Sequence, residues 1–294
     1  MSDFFTMALV TATLRMTTPL LFAALGGVLS ERSGVINIAL EGMMLTGAFF
    51  SVAGTYWTGN TWLGLVIGVL SAGVAATIHA YWSITLRGNQ IVAGTAVNLI
   101  AAGLTAFLIQ RIWGQAGASG SVDKLPNLAS GINVLLPLAF LLVPVVHIIL
   151  FRTKQGLHLQ ASGEHPQAAE NVGINVTRNR YVAVIASGLL AGLGGAFLSI
   201  GDLSYFTLDM TAGRGFIALA AVIFGGWTPV GAMLASLLFG ASQAVQIQAQ
   251  ATPDFPISTD LLLAFPYLLT LIAVTGLVRA STPPAGLGTH PTAH

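Results

Sequence analysis

The sequence predicts an all-α integral membrane protein, a polytopic bundle of about nine helices within a range of eight to ten, some of them broken. Three observations carry that expectation. Hydrophobic residues fill 54% of the 294 positions and charged residues only 7%, where a soluble globular domain carries about 25% charged residues. Mean hydropathy is +0.81. Apolar runs recur at the ~20-residue length that crosses a ~30 Å hydrocarbon core as a helix. Together these exclude a soluble enzyme, a disordered chain and an electrostatic partner of nucleic acid.

The predicted spans are 5–29, 34–57, 62–86, 90–112, 132–151, 181–201, 213–227, 229–250 and 259–279. The first follows an acidic start with no basic residue before Arg15. It lacks the marks of a cleaved signal and is expected to remain as a span. The second carries Glu41 and the seventh ends in Gly225 and Gly226, and these are the places where a helix is expected to break. The fifth is free of formal charge.

Basic residues collect on the cytoplasmic side of membrane proteins. An N-out, C-in arrangement puts Arg32, Arg87, Arg152, Lys154, Arg178, Arg180 and Arg279 inside, against Arg111, Lys124 and Arg214 outside. That orientation is therefore predicted. Residues 1–279 read as one transmembrane domain, with 114–131 as an outer loop and 152–180 as a polar cytoplasmic loop. Residues 280–294 contain Pro283, Pro284 and Pro291 without apolar periodicity, and a disordered cytoplasmic tail is expected.

Much chemistry is excluded by what the chain lacks. There is no cysteine, hence no thiolate nucleophile, disulfide or Cys–metal site. The only lysines, Lys124 and Lys154, follow no glycine-rich phosphate loop. Neither a His-Glu-x-x-His metal motif nor a Gly-x-Ser-x-Gly elbow occurs. No catalytic residue, metal or bound cofactor is expected, and any ATP hydrolysis belongs to another subunit.

Charges inside apolar spans are expensive and usually face a cavity or a partner. Arg15 is expected ~15 Å deep and Glu41 ~10 Å deep from opposite faces, at 1.5 Å of rise per residue. An Arg15–Glu41 ion pair and a substrate-facing Glu41 are the two readings. Asn37 and Glu41 are four apart and would share a helix face. Gly34 and Gly42 bracket them and would permit an unwound turn, as in transporter helices. Gln90 and Asn98 supply further amides, eight apart. These four are the candidate substrate-path residues, set against interhelical hydrogen bonding worth ~0.6–2 kcal/mol.

Three other features read as packing or anchoring. His79 has no titratable neighbour on its helix and reads as a hydrogen-bonded packing histidine. Gly64 with Gly68, and Gly188 with Gly192, have the spacing that lets helix backbones approach closely. Trp57, Trp62, Trp113 and Trp227 fall at predicted span ends, where aromatic belts form.

Within the cytoplasmic loop the stretch 163–174, GEHPQAAENVGI, has the layout of a short helix. Pro166 suits a first helical position, Ala168 and Ala169 are strong helix formers, and Gly173 suits a terminus. It lacks the wide apolar face that membrane binding requires, so it is expected to dock on a protein.

This stretch resembles the coupling loop of ABC importer permeases of the branched-chain amino acid, ribose and nucleoside group. Four more stretches agree: SERSGVINIALEGMM at 30–44, LRGNQIVAG at 86–94, AGRGFIALAAVIFGGW at 212–227 and PYLLT at 266–270. Taken together they are most similar to the shorter of the two permeases in nucleoside importers. The resemblance implies a heterodimer with a longer homologous permease in the bacterial cytoplasmic membrane. It also implies an ATPase subunit that binds ATP and Mg, and an extracytoplasmic lipoprotein that delivers a nucleoside. ATPase coupling would fall on Glu164, His165, Pro166, Ala168, Ala169 and Gly173. A permease for simple sugars, an ion-driven secondary transporter and a non-transporting scaffold are the alternatives.

Overall fold

The computed structural model describes residues 7–128, 131–251 and 282–289. Ten helices follow one another: α1 (Met7–Arg32), α2 (Leu40–Thr58), α3 (Thr61–Ala80), α4 (Gln90–Trp113), α5 (Leu135–Arg152), α6 (Lys154–Glu164), α7 (Pro166–Asn171), α8 (Val176–Ala196), α9 (Arg214–Phe224) and α10 (Pro229–Ala251). π-helical turns extend α3 through Thr85 and α8 through Leu203. Local chemistry starts several of them. Asn60 accepts from Trp62 N and Leu63 N, Asn89 from Ile91 N and Val92 N, and Asn175 from Arg178 N, each satisfying amides that a helix leaves orphaned.

Along α3, Gly64, Gly68, Ala72, Ala76 and His79 point inward, while Val66, Leu70, Val74 and Ile78 are exposed. α4 repeats the pattern, with Ala93, Gly94, Val97 and Ala101 inside and Leu99, Ile100, Leu104 and Phe107 outside. Large apolar residues outside and small ones inside invert the rule for water-soluble helices. In lipid the outward side chains gain nothing by hiding, so close backbone packing decides the orientation. The glycine spacings serve this purpose. A side chain at Gly68 would collide with Ser51 of α2, one at Gly188 with Ala76 of α3, and one at Gly195 with Met44 of α2. The second half of α1 together with α2 forms the buried centre.

Among the described residues, six helices are long and apolar enough to cross a membrane: α1, α3 with its π turn, α4, α5, α8 with its π turn, and α10. They coincide with six of the predicted spans. The span expected at 34–57 begins only at Leu40, and the one expected at 213–227 is the 11-residue α9. The span expected at 259–279 lies outside the described residues. Trp57 and Trp62 are exposed at the α2–α3 turn, as an interfacial anchor requires, but Trp227 is buried at 5% exposure.

Candidate functional site: a broken helix and the groups that hold it

Between α1 and α2 the chain leaves the helical path for residues 33–39. Gly34 turns it with φ of +94°, a value that side chains resist. Ser33, Val35, Asn37 and Ala39 are fully buried, so the backbone groups of this break need partners away from water. Distant side chains supply them. Gln90 Oε1 accepts from Ile36 N at 2.7 Å, and His79 Nε2 donates to Ile36 O at 3.1 Å. Asn98 bridges two sites, accepting from Gly42 N at 2.7 Å and donating to Ile38 O at 3.0 Å. Ser30 Oγ donates to Val35 O at 2.8 Å, and Arg180 Nε to Ser33 O at 3.1 Å.

α9 lies across the break and is held at both ends by carboxylates that flank it. Glu41, in the first turn of α2, accepts from Thr211 Oγ1 at 2.6 Å and Gly213 N at 2.8 Å through one oxygen. Its other oxygen accepts from Gly215 N at 2.6 Å. Glu41 thus caps the N-terminus of α9, where amides are unpaired and the helix dipole favours negative charge. A side chain at Gly215 would strike the Glu41 backbone, which is why the approach needs glycine. At the far end, Trp227 Nε1 donates to Glu31 Oε2 at 2.5 Å and Arg32 Nε to Trp227 O at 2.8 Å.

The structure therefore redistributes the charges expected to meet. Arg15 Nε stands 3.5 Å from Asp202 Oδ1, at a half-exposed position, and forms no ion pair with Glu41. The reason is the late start of α2, which turns Glu41 toward α9. Asn37 and Glu41 do not share a helix face, because Asn37 sits in the break. It reaches the other way, donating to Ser187 Oγ of α8 at 2.8 Å. Gln90 and Asn98 do share a face, and that face is turned to the break. Among the described residues, Asn37 Oδ1 and Gln90 Nε2 are buried without a partner.

The polar segment 152–180 holds two helices where one was expected. Thr153 starts α6 by accepting from Gly156 N at 3.1 Å, and His165 separates α6 from α7. Pro166 opens α7, and Gly173 closes it with φ of +84° and an amide bonded to Glu170 O. Ala169 and Pro166 face inward, while His165, Gln167, Ala168, Glu170 and Val172 are exposed. Glu164 lies 3.8 Å from Arg32 Nη1, which joins the end of α6 to the last residue of α1.

Composition predicts a disordered tail over 280–294; within it the described residues 282–289 form a turn docked beside the break. Gly286 N donates to Gly163 O at 2.8 Å and Gly288 N to Gly34 O at 3.0 Å. Ala285 N donates to Glu164 Oε2 at 3.0 Å, and Arg180 Nη1 to Thr289 O at 2.8 Å. Read from sequence alone, Glu31, Arg180, Ser187, Thr211 and Trp227 have no place in a site, Arg180 counting only as an inside charge and Trp227 only as an anchor. Glu31, Thr211 and Trp227 lie in or beside stretches already singled out, but nothing local shows that those stretches meet.

At the opposite end of the bundle, the 114–128 loop runs along the π turn of α8. Ser119 N donates to Phe206 O at 2.8 Å, Val122 N to Ser204 O at 2.8 Å and Leu125 N to Ile200 O at 2.9 Å. Beside it opens a polar recess of about 330 Å³, where Arg15, Lys124, Asn133 and Asp202 meet.

Membrane-length helices, a buried helix break and a half-helix pinned across it define a polytopic membrane permease. The chain belongs to the family of permease components of branched-chain amino acid transport systems, whose profile matches residues 9–274. It is 40% identical to the guanosine ABC transporter permease protein NupQ of Bacillus subtilis, over 94% of each chain. It is 39% identical to the nucleoside ABC transporter permease protein NupC of Lactococcus lactis, over 88% of each. Among solved structures, PsaBC of Streptococcus pneumoniae in complex with a Fab shares the fold, with a TM-score of 0.51, 14% identity, and coverage of 92% of this chain and 94% of that one.

Proposed function

We propose that this chain is one of two homologous permeases in an ABC importer that carries nucleosides across the bacterial cytoplasmic membrane, N-terminus outside. A partner ATPase docks on the exposed face of α7 and holds the ATP and Mg. A binding lipoprotein delivers substrate at the 114–128 loop face. The observation that carries the reading is the continuity between α6 and the break. Glu164 at the end of α6 meets Arg32, and Arg32 meets both the start of the break and the loop after α9. A push on α6–α7 is thereby delivered to the break between α1 and α2. The near-full-length likeness to guanosine and nucleoside permeases supports the substrate class. Asn37, Gln90 and Asn98 then serve the path indirectly, by fixing the break that lines it.

The test is uptake of radiolabelled guanosine, uridine and ribose into proteoliposomes. These hold the chain with its sister permease and ATPase, with binding protein on the opposite side. ATP-dependent nucleoside uptake that disappears in Glu164→Lys supports the reading. Uptake of ribose alone moves the substrate to sugars, and uptake that ignores ATP removes the importer assignment altogether.

A further inference from the structure

We infer that the C-terminal segment 282–289, clamped by Arg180, is a working part of the transmission between α6–α7 and the helix break. The inference rests on the reading of α6–α7 as the ATPase dock.

The segment touches the two bodies that must move together, with two hydrogen bonds to the dock and one to the break. Toward the dock, Gly286 N donates to Gly163 O at 2.8 Å and Ala285 N to Glu164 Oε2 at 3.0 Å. Toward the break, Gly288 N donates to Gly34 O at 3.0 Å, at the residue whose φ of +94° turns the chain out of α1. A side chain built on Gly34 would meet Gly286 O and Gly163 within 3.3 Å, so break, segment and dock are in mutual contact at this point. Leu287 adds apolar contact with the core.

Arg180 ties the same three parts from beneath. It is 1% exposed, and its guanidinium donates to Ser33 O of the break at 3.1 Å, Thr289 O of the segment at 2.8 Å and Ser162 O of α6 at 3.4 Å. Three carbonyls from three chain segments around one fork is a geometry that only arginine supplies, since lysine presents a single point of charge. A buried cation held by carbonyls fixes their relative positions, because withdrawing one leaves part of the charge unsolvated. The segment and Arg180 together make a strap that keeps the end of α6 at constant distance from the break. With the strap in place, displacement of the dock becomes bending at Gly34. Without it, α6–α7 retains the Glu164–Arg32 ion pair and the close packing of Gly163 against Arg32 and Gly34, which touch the break without clamping it.

The experiment uses the full complex in proteoliposomes and reads ATP hydrolysis and substrate uptake on the same sample. Three variants are compared with wild type: a stop codon at position 281, Arg180→Lys, and Gly288→Pro, which deletes the amide bonded to Gly34 O and excludes the +78° φ that seats the turn. The expected result is a complex that assembles and hydrolyses ATP within twofold of wild type but moves at least tenfold less substrate per ATP. Wild-type uptake per ATP in the truncated and Gly288→Pro complexes would overturn the inference. So would a parallel fall in hydrolysis and uptake, which marks a merely structural part. If the truncation fails to assemble, Gly288→Pro and Arg180→Lys decide on the same ratio. Failure of the wild-type complex to transport on ATP would instead strike the importer reading itself.

Discussion

Replacing Glu41 with alanine strips two amides and a hydroxyl at the start of α9 of their acceptor at once. Each buried group left unpaired costs about 1–3 kcal/mol, so Glu41→Ala is expected to lower stability by about 3 kcal/mol or more. Glu41→Gln keeps one oxygen acceptor and should lose roughly half as much. Thermal unfolding in detergent measures both. An alanine variant that unfolds like wild type yet does not transport would make Glu41 a group of the substrate path instead of a cap. The Arg15 geometry gives a second residue-level prediction. Exchanging charges as Arg15→Glu with Asp202→Arg should restore much of what either single change removes, because those two side chains are the ones that meet. Arg15→Glu with Glu41→Arg should restore nothing, and rescue by that pair would contradict the arrangement.

At the scale of elements, legibility followed how local the cause was. The limits of α7 could be read because Pro166 and Gly173 act on their own neighbours. The late start of α2 could not. Asn37, Ile38 and Ala39 tolerate a helix, and what holds them out of one is a set of partners some forty to sixty residues away, at His79, Gln90 and Asn98. α9 was hidden in an apolar run that continues past its end. Its shortness is set by Gly226 and Trp227, both at positive φ, and by the grip of Glu31 on the tryptophan. Of the candidate substrate-path residues, Asn37, Glu41 and Gln90 are buried and Asn98 is half-buried. Their partners were not legible, because pairing is a property of packing. For α7 the expected behaviour is that of a rigid lever. A glycine inserted after Ala169 should leave membrane insertion and assembly intact while reducing uptake at least tenfold, read by transport against complex yield. Normal uptake in that variant would remove α7 from the coupling path.

For the whole molecule the prediction concerns which end of the bundle faces the cytoplasm. The chain has no cysteine, so single introduced cysteines report without background. With the N-terminus outside, Gly120→Cys in the loop beside the polar recess should react with a membrane-impermeant maleimide applied to intact cells. Gln167→Cys on the exposed face of α7 should react only after permeabilisation. The reverse pattern would place the proposed ATPase dock on the wrong side and end the importer assignment. Composition was decisive at this scale. Seven per cent charge leaves a chain of this length no soluble solution, and the inverted burial along α3 and α4 is what that composition becomes in lipid.

The cap on α9 has one consequence for cargo. A free helix N-terminus opening inside a transporter attracts anions, since its amides and dipole offer a ready cradle for phosphate or carboxylate. Here a carboxylate of the protein already occupies that cradle. In the proposed importer, an anionic solute would find these amides already taken by Glu41, whereas an uncharged nucleoside would lose nothing. Guanosine monophosphate at a hundredfold excess, supplied to proteoliposomes holding the full complex, is therefore expected to leave nucleoside uptake unchanged, and strong competition would show that the anion finds another home in the path. A single acidic residue would in this way close the start of α9 to anionic cargo.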